Sequence, residues 1–257
     1  MNYEKTEILR IALYAGEIML KNGAETYRVE DTIIRICNAK GMKYTNAFVT
    51  PTVIILADSR FEGRSLIRRI FFRDTNLEKV SRVNDFSRLF SQDPNISFED
   101  ALSRLKQIDA LSSYPYKLQI FCGGGAASVF ALMLGSGVGD ALLAFFVSML
   151  SVFIYGRLQR ISEVSFLANF VCGFFIGAAA LILSRIFSNI RYDMIIVGGI
   201  MPLLPGFALT NGLRDFISGD LISGVSRVAE AFIIAISIAF GVGSAFKLFL
   251  SIGGMSI

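Results

Sequence analysis

The sequence contains no histidine, which removes the usual general base and the commonest metal ligand from any mechanism. A Ser-His mechanism is excluded with it, and no G-x-S-x-G elbow is present. Cysteine is nearly as scarce. Cys37, Cys122 and Cys172 are odd in number, lie far apart and form no CxxC, so neither a disulfide framework nor a zinc site is expected, and a reducing interior fits. Charge is short as well: 18% of residues are charged against 53% hydrophobic, and mean hydropathy is +0.57. That balance is too apolar for an ordinary soluble chain of 257 residues and points to a membrane protein. The start, MNYEKTEILR, is polar and lacks the apolar core of a signal peptide, so export of the N-terminal region is not expected. No catalytic residue, metal or cofactor is expected.

The charges that are present are unevenly placed. Residues 1–117 hold 18 Lys/Arg and 15 Asp/Glu, which leaves 7 and 6 for residues 118–257. Two parts in different solvents follow: a soluble domain at 1–117 and a transmembrane helical domain at 118–257.

Within the first part, apolar residues at helical spacing over 4–22 stop at Gly23, which suits a left-handed C-terminal cap. A second helix is expected from Ala24 to Lys40, ended by Gly41. The β-branched and aromatic run YTNAFVTPTVIILAD, followed by the turn-like DSRFEGR and then SLIRRIFF, predicts a small sheet. Amphipathic helices are expected over 76–91 and 97–111, the latter opened by Ser97 with Asp100 as a variant capping box. The domain is therefore α+β.

Tyr114, Pro115, Tyr116 and Lys117 suit the headgroup layer. Charge-free runs then follow at 118–139, 141–156, 164–184, 194–213 and 231–246, each near the roughly 20 residues a bilayer span requires. Five spans in an all-α membrane domain are expected. The basic soluble domain and Arg157 with Arg160 place the N-terminal domain in the cytoplasm of a plasma-membrane protein, although Arg185 and Arg191 fit that orientation less well. Small residues at GGGAAS (123–128) and at Gly173 with Gly177 suggest close packing of helices.

The fourth run is irregular. Pro202 and Pro205 remove backbone donors where a lipid-facing helix should be continuous. Either the helix is broken and lines a cavity, with Gly206, Asn211, Arg214 and Asp215 beside a solute, or it is kinked and leads into an interfacial loop with Arg214, Asp215 and Asp220 in water. Arg227 and Glu230, at i,i+3 spacing before the last apolar run, share a helix face and are suited to pair. The Arg227 guanidinium matches a solute carboxylate, and Glu230 could hold it or accept a proton.

Two other classes fit poorly. GVGD at 137–140 and YD at 192–193 echo intramembrane aspartyl proteases, but the order is reversed and both acids lie at segment ends. The arginines of RSLIRRIFFR are balanced by acids elsewhere in the domain, so nucleic acid is not an expected partner, and a solvated face near anionic lipid headgroups is.

Several motifs in fixed order carry a resemblance: NGAETYRVEDT (22–32), TPTVIILA (50–57), DALSRLKQI before YP, GSGVGDALLAFF (135–146) and GGIMPLLPGFALTNGLRDFISGDLISGVSRVAEA (198–231). Over nearly its whole length the chain resembles the threonine/serine exporter family, in its split two-component form. The resemblance implies a smaller multi-span membrane partner, export of a small carboxylate-bearing solute such as threonine or serine, and succinate as the alternative. It leaves room for a higher oligomer and for a membrane-anchored sensor that binds without transport. The family signature in the soluble domain falls on Gly23, Glu25, Arg28, Glu30 and Asp31. Local chemistry offers a structural account beside it: Gly23 as a cap, Glu25 and Glu30 as an acidic helix start, and Arg28 paired with Asp31 at i,i+3. The functional account is a gate or a docking surface.

Overall fold

The structure is a computed structural model that describes residues 4–59, 65–161, 165–187 and 189–252. Its contacts divide it into two compact units, one of residues up to Ser113 together with Thr210–Val228, the other of Tyr114–Leu209 with the chain from Ala229 onward.

In the first unit, α1 (Lys5–Lys21) and α2 (Thr26–Ala39) are separated by a four-residue turn. Gly23 makes that turn: at φ +93° it takes a conformation that L side chains rarely adopt, and the Gly23 and Ala24 N–H groups close on the carbonyls of Leu20 and Met19. The expected sheet follows as β1 (Thr45–Thr50), β2 (Val53–Asp58) and β3 (Ser65–Arg69), antiparallel in the order β1-β2-β3. Of the expected turn at 58–64, residues 60–64 lie outside the described residues. The helices α3 (Leu77–Gln92) and α4 (Phe98–Asp109) complete the layer, each with a capped start: Asn76 accepts from the Lys79 N–H and Ser97 from the Asp100 N–H. The inward faces of α1 and α2, including Ile11, Ile18, Ile33 and Ile36, meet Ile54 and Leu56 of β2 and Phe90 of α3 in one core. Burying each such side chain is worth about 1.5–3 kcal/mol, so this face fixes the unit.

The second unit is built from apolar helices: α5 (Tyr116–Met133), α6 (Val138–Ile161), α7 (Ser165–Ile186), α8 (Tyr192–Ile200) and much of α10 (Leu221–Ser251). A short 3-10 turn at Met201–Leu203 separates α8 from α9 (Gly206–Ile217). Cys172 and Ile176 of α7 pack with Val147 of α6, Ile195 of α8 and Ile238 of α10. Here α7 and α10 approach with backbones nearly touching. A Cβ on Gly241 would lie 2.2 Å from the Phe170 carbonyl oxygen, and one on Gly173 would lie 2.5 Å from that of Ile238. The small residues thus serve helix packing inside this chain.

The sequence reading expects five spans. Among the described residues three helices are long and apolar enough to cross a membrane, Val138–Gln159, Ser165–Ile186 and Leu221–Ser251. The pair Tyr192–Leu203 and Gly206–Ile217, bent by 58°, makes a fourth if it counts as one span. The helix α5 is 18 residues long but opens on Lys117 and Gln119 and carries three consecutive glycines, which lowers its hydropathy. By contrast, 31 residues make α10 about 46 Å long, well beyond a hydrocarbon core of ~30 Å. Its first two turns belong to the first unit, and Arg227 stands on that part.

Candidate functional site

The turn between α1 and α2 exposes two carbonyls, and the segment 210–228 supplies the donors they need. Asn211 Nδ2 donates to the Gly23 carbonyl at 3.0 Å, and Arg227 Nη2 donates to that of Ala24 at 2.9 Å. The return bonds run the other way: the Thr26 hydroxyl and backbone N–H both donate to Asp215 Oδ1, at 2.8 and 3.2 Å, and the hydroxyl also reaches Asp220 Oδ2 at 3.1 Å. Thr26 is the first residue of α2, so Asp215 caps that helix from 189 residues away, with its charge on the positive end of the helix dipole.

Asp215 is wholly buried, and its counter-charge is Arg227, whose Nε lies 3.0 Å from Oδ2 with both side chains almost free of solvent. The Nε–H is not aligned on the carboxylate, so charge rather than a hydrogen bond holds that contact. Close passage of α9 beside α10 permits it. A Cβ on Gly224 would lie 3.0 Å from the Gly212 carbonyl oxygen, and Gly219, at φ +91°, reverses the chain between the helices.

At the rim the side chains are half in water. Glu25, itself buried, accepts from Arg214 Nη1 at 2.6 Å and from Arg28 Nη1 at 3.2 Å. Burial alone would push the Glu25 carboxyl up; its own backbone N–H, Arg214 and Arg28 outweigh that and hold it below the ordinary glutamate range. Arg214 keeps 57% of its side chain exposed and Arg28 41%, so two cations face solvent around one buried carboxylate.

Several sequence expectations change here. Arg28 pairs with Glu25 rather than with Asp31, because Asp31 is taken by Arg35 one turn further along α2. Glu30 does more than start a helix: its Oε1 accepts the Val49 N–H at 2.9 Å and so ties α2 to β1. Burial raises the Glu30 pKa, the Val49 N–H works against that, and Asp220 adds to the rise. Asp215 is not in water, as an interfacial loop requires, but in the centre of the junction. The Arg227 guanidinium turns to Asp215 and the Ala24 carbonyl, and Glu230 stands three residues further along α10, half-buried and in the second unit. Pro202 lies within the 3-10 turn and Pro205 just before Gly206, the first residue of α9, so both sit at the break in the bent pair. Asp140 accepts the N–H groups of Gly137 and Arg191 at 3.2 and 3.1 Å, a tie between two loops.

A buried ion pair and a helix start capped by a distant carboxylate, beside a helix broken at two prolines, belong to a membrane protein with a built polar junction. The chain belongs to the threonine/serine exporter family: the model of that family, ThrE, matches residues 10–249. The threonine/serine exporter of Corynebacterium glutamicum is 27% identical over 252 residues, which cover 94% of this chain and 51% of that protein. The chain thus spans about half the length of that relative. Proteins named "Probable succinate transporter subunit YjjP" are 24% identical in Klebsiella aerogenes and 23% in Escherichia coli, and in both the match covers 93% of each chain. No solved structure matches the chain.

Proposed function

We propose that this chain is one subunit of an exporter of small carboxylate-bearing solutes, threonine and serine first, working with a smaller multi-span membrane partner. The observation that carries the reading is the junction itself. Asn211, Asp215 and Arg227 of 210–228 are committed to the α1–α2 turn and to Thr26, on and after a helix that opens at a proline break, an arrangement that can close or open as a unit. In this reading Arg227 and Asp215 are gate residues, because both are buried and engaged, and Arg214 with Arg28 are the cations a solute carboxylate meets. Pro202, Pro205 and Gly206 give the break, Asn211 fastens the gate to Gly23, and Glu230 stands further along α10 as a candidate proton acceptor. The α5 helix serves as the first of five spans, charge-free from Leu118 onward, and the first unit lies in the cytoplasm.

Succinate is the second reading, favoured by the mutual 93% coverage with relatives named as succinate transporter subunits. A dianion suits two exposed cations beside one carboxylate. Proteoliposomes holding this chain and a small-subunit relative, loaded with labelled threonine or labelled succinate, test both. Saturable efflux of one solute that requires both chains supports the proposal and selects the substrate; binding without movement of either overturns it in favour of a sensor.

A further inference from the structure

The three-stranded sheet has an apolar face that the core does not use. Ile54 and Leu56 point inward and are fully buried, while Val53 and Ile55 point outward, so β2 is apolar on both faces, which is unusual for an antiparallel strand with one side in water. Pairing register sets Phe48, Ile55 and Ile67 in one row across the outer face, with Thr50, Val53 and Arg69 in the next. Ile67 is 67% exposed, and just past β3 both Phe71 and Phe72 are 70% exposed. The Arg69 guanidinium lies over the Phe71 ring at 4.8 Å, so the basic and aromatic side chains share one surface.

The charge around this face selects its occupant. Among the described residues that the register sets on it, Arg69 is the charged one and none is acidic, and Arg73 follows directly after Phe72. A second copy of the face would set arginine against arginine. Large exposed apolar side chains beside arginines form the composition of a headgroup boundary, where rings enter the acyl edge and guanidinium groups meet phosphate. We propose that the outer face of the β1-β2-β3 sheet, with Ile67, Phe71 and Phe72 inserted and Arg69 and Arg73 on phosphate, docks on an anionic lipid leaflet. The inference goes beyond the transport reading and does not depend on which solute moves.

The chain has no tryptophan, so Phe72→Trp creates a single reporter. With the full chain in nanodiscs of phosphatidylglycerol brominated on its acyl chains, emission is expected to fall by roughly half relative to unbrominated discs, since interfacial side chains reach the acyl boundary. The same protein in brominated phosphatidylcholine, or carrying Arg69→Gln and Arg73→Gln, is expected to lose most of that quenching. Ile67→Trp gives a second reporter on the same face, and Leu89→Trp on α3 serves as the exposed control. Unquenched Phe72→Trp and Ile67→Trp in anionic discs, or equal quenching of Leu89→Trp, overturns the proposal. Shielding that develops only when the smaller subunit is added also overturns it and assigns the face to a protein. Efflux is measured separately, so failure here leaves the transport reading standing.

Discussion

Asp215 and Arg227 face one another at 3.0 Å with the side chain of Asp215 fully buried and that of Arg227 only 5% exposed. Twelve residues separate them, and a single reversal at Gly219 brings them together. Removing one charge of such a pair leaves the other in a site of low polarity, which typically costs about 3–5 kcal/mol. Arg227→Met alone and Asp215→Leu alone are therefore expected to destabilise the protein strongly, and the double variant to recover much of the loss. Thermal unfolding of all four proteins in detergent checks this; single effects that simply add would show that the two charges are not coupled.

A second prediction concerns the turn that the junction grips. At φ +93° a side chain at position 23 is strained by about 1–2 kcal/mol, and asparagine tolerates that region better than a β-branched residue. Gly23→Val is expected to lower thermal stability more than Gly23→Asn. Equal effects would mean that conformation does not limit this position.

Acid should act on stability in opposite directions through Glu25 and Glu30. The folded-state pKa of Glu25 is lowered, so its contribution to stability is present above the unfolded value, about 4.3, and is lost as pH falls through the lower folded value. Glu30 is raised, so its effect has the opposite sign: stability falls as pH rises from the unfolded value through the folded one. Melting temperatures between pH 3 and 6 are expected to rise less steeply with pH in Glu25→Gln than in the parent protein, and more steeply in Glu30→Gln. Parallel curves would remove both groups from the linkage.

Two glycines of α10 should behave differently although they are two residues apart. A Cβ at position 241 meets the α7 backbone, whereas one at 243 has nothing within 4 Å. Gly241→Ala is expected to reduce the yield of monodisperse protein and Gly243→Ala to leave it unchanged. The same yield for both variants in size-exclusion profiles would contradict close α7–α10 packing.

Much of the fold was legible because it is written locally. Gly23 and Gly41 ended helices as capping chemistry requires, Ser97 opened α4, and the β-branched and aromatic run around Pro51 marked the sheet. Spacing failed where two partners were equally placed. Glu25 and Asp31 both lie three residues from Arg28, and only the claim of Arg35 on Asp31 decides between them. The bond from Thr26 to Asp215 joins residues 189 apart, and no local pattern carries such a pairing. The sequence did single out both stretches, 198–231 as a polar irregularity and 22–32 through the family resemblance; their mutual contact needed the fold. The span count rests on different signals: an absence of charge marked α5, which opens on Lys117 and Gln119, whereas length and hydropathy together pick three helices among the described residues, or four with the bent pair.

The central claim is that the α1–α2 turn and the segment 210–228 gate transport. Thr26→Val keeps the shape of that side chain while deleting its hydroxyl bonds to Asp215 and Asp220, and efflux from proteoliposomes holding both subunits, normalised to folded protein, measures the consequence. An altered efflux rate with unchanged binding of the exported solute is the expected result, and unaltered efflux in a variant that has lost those bonds would contradict the account.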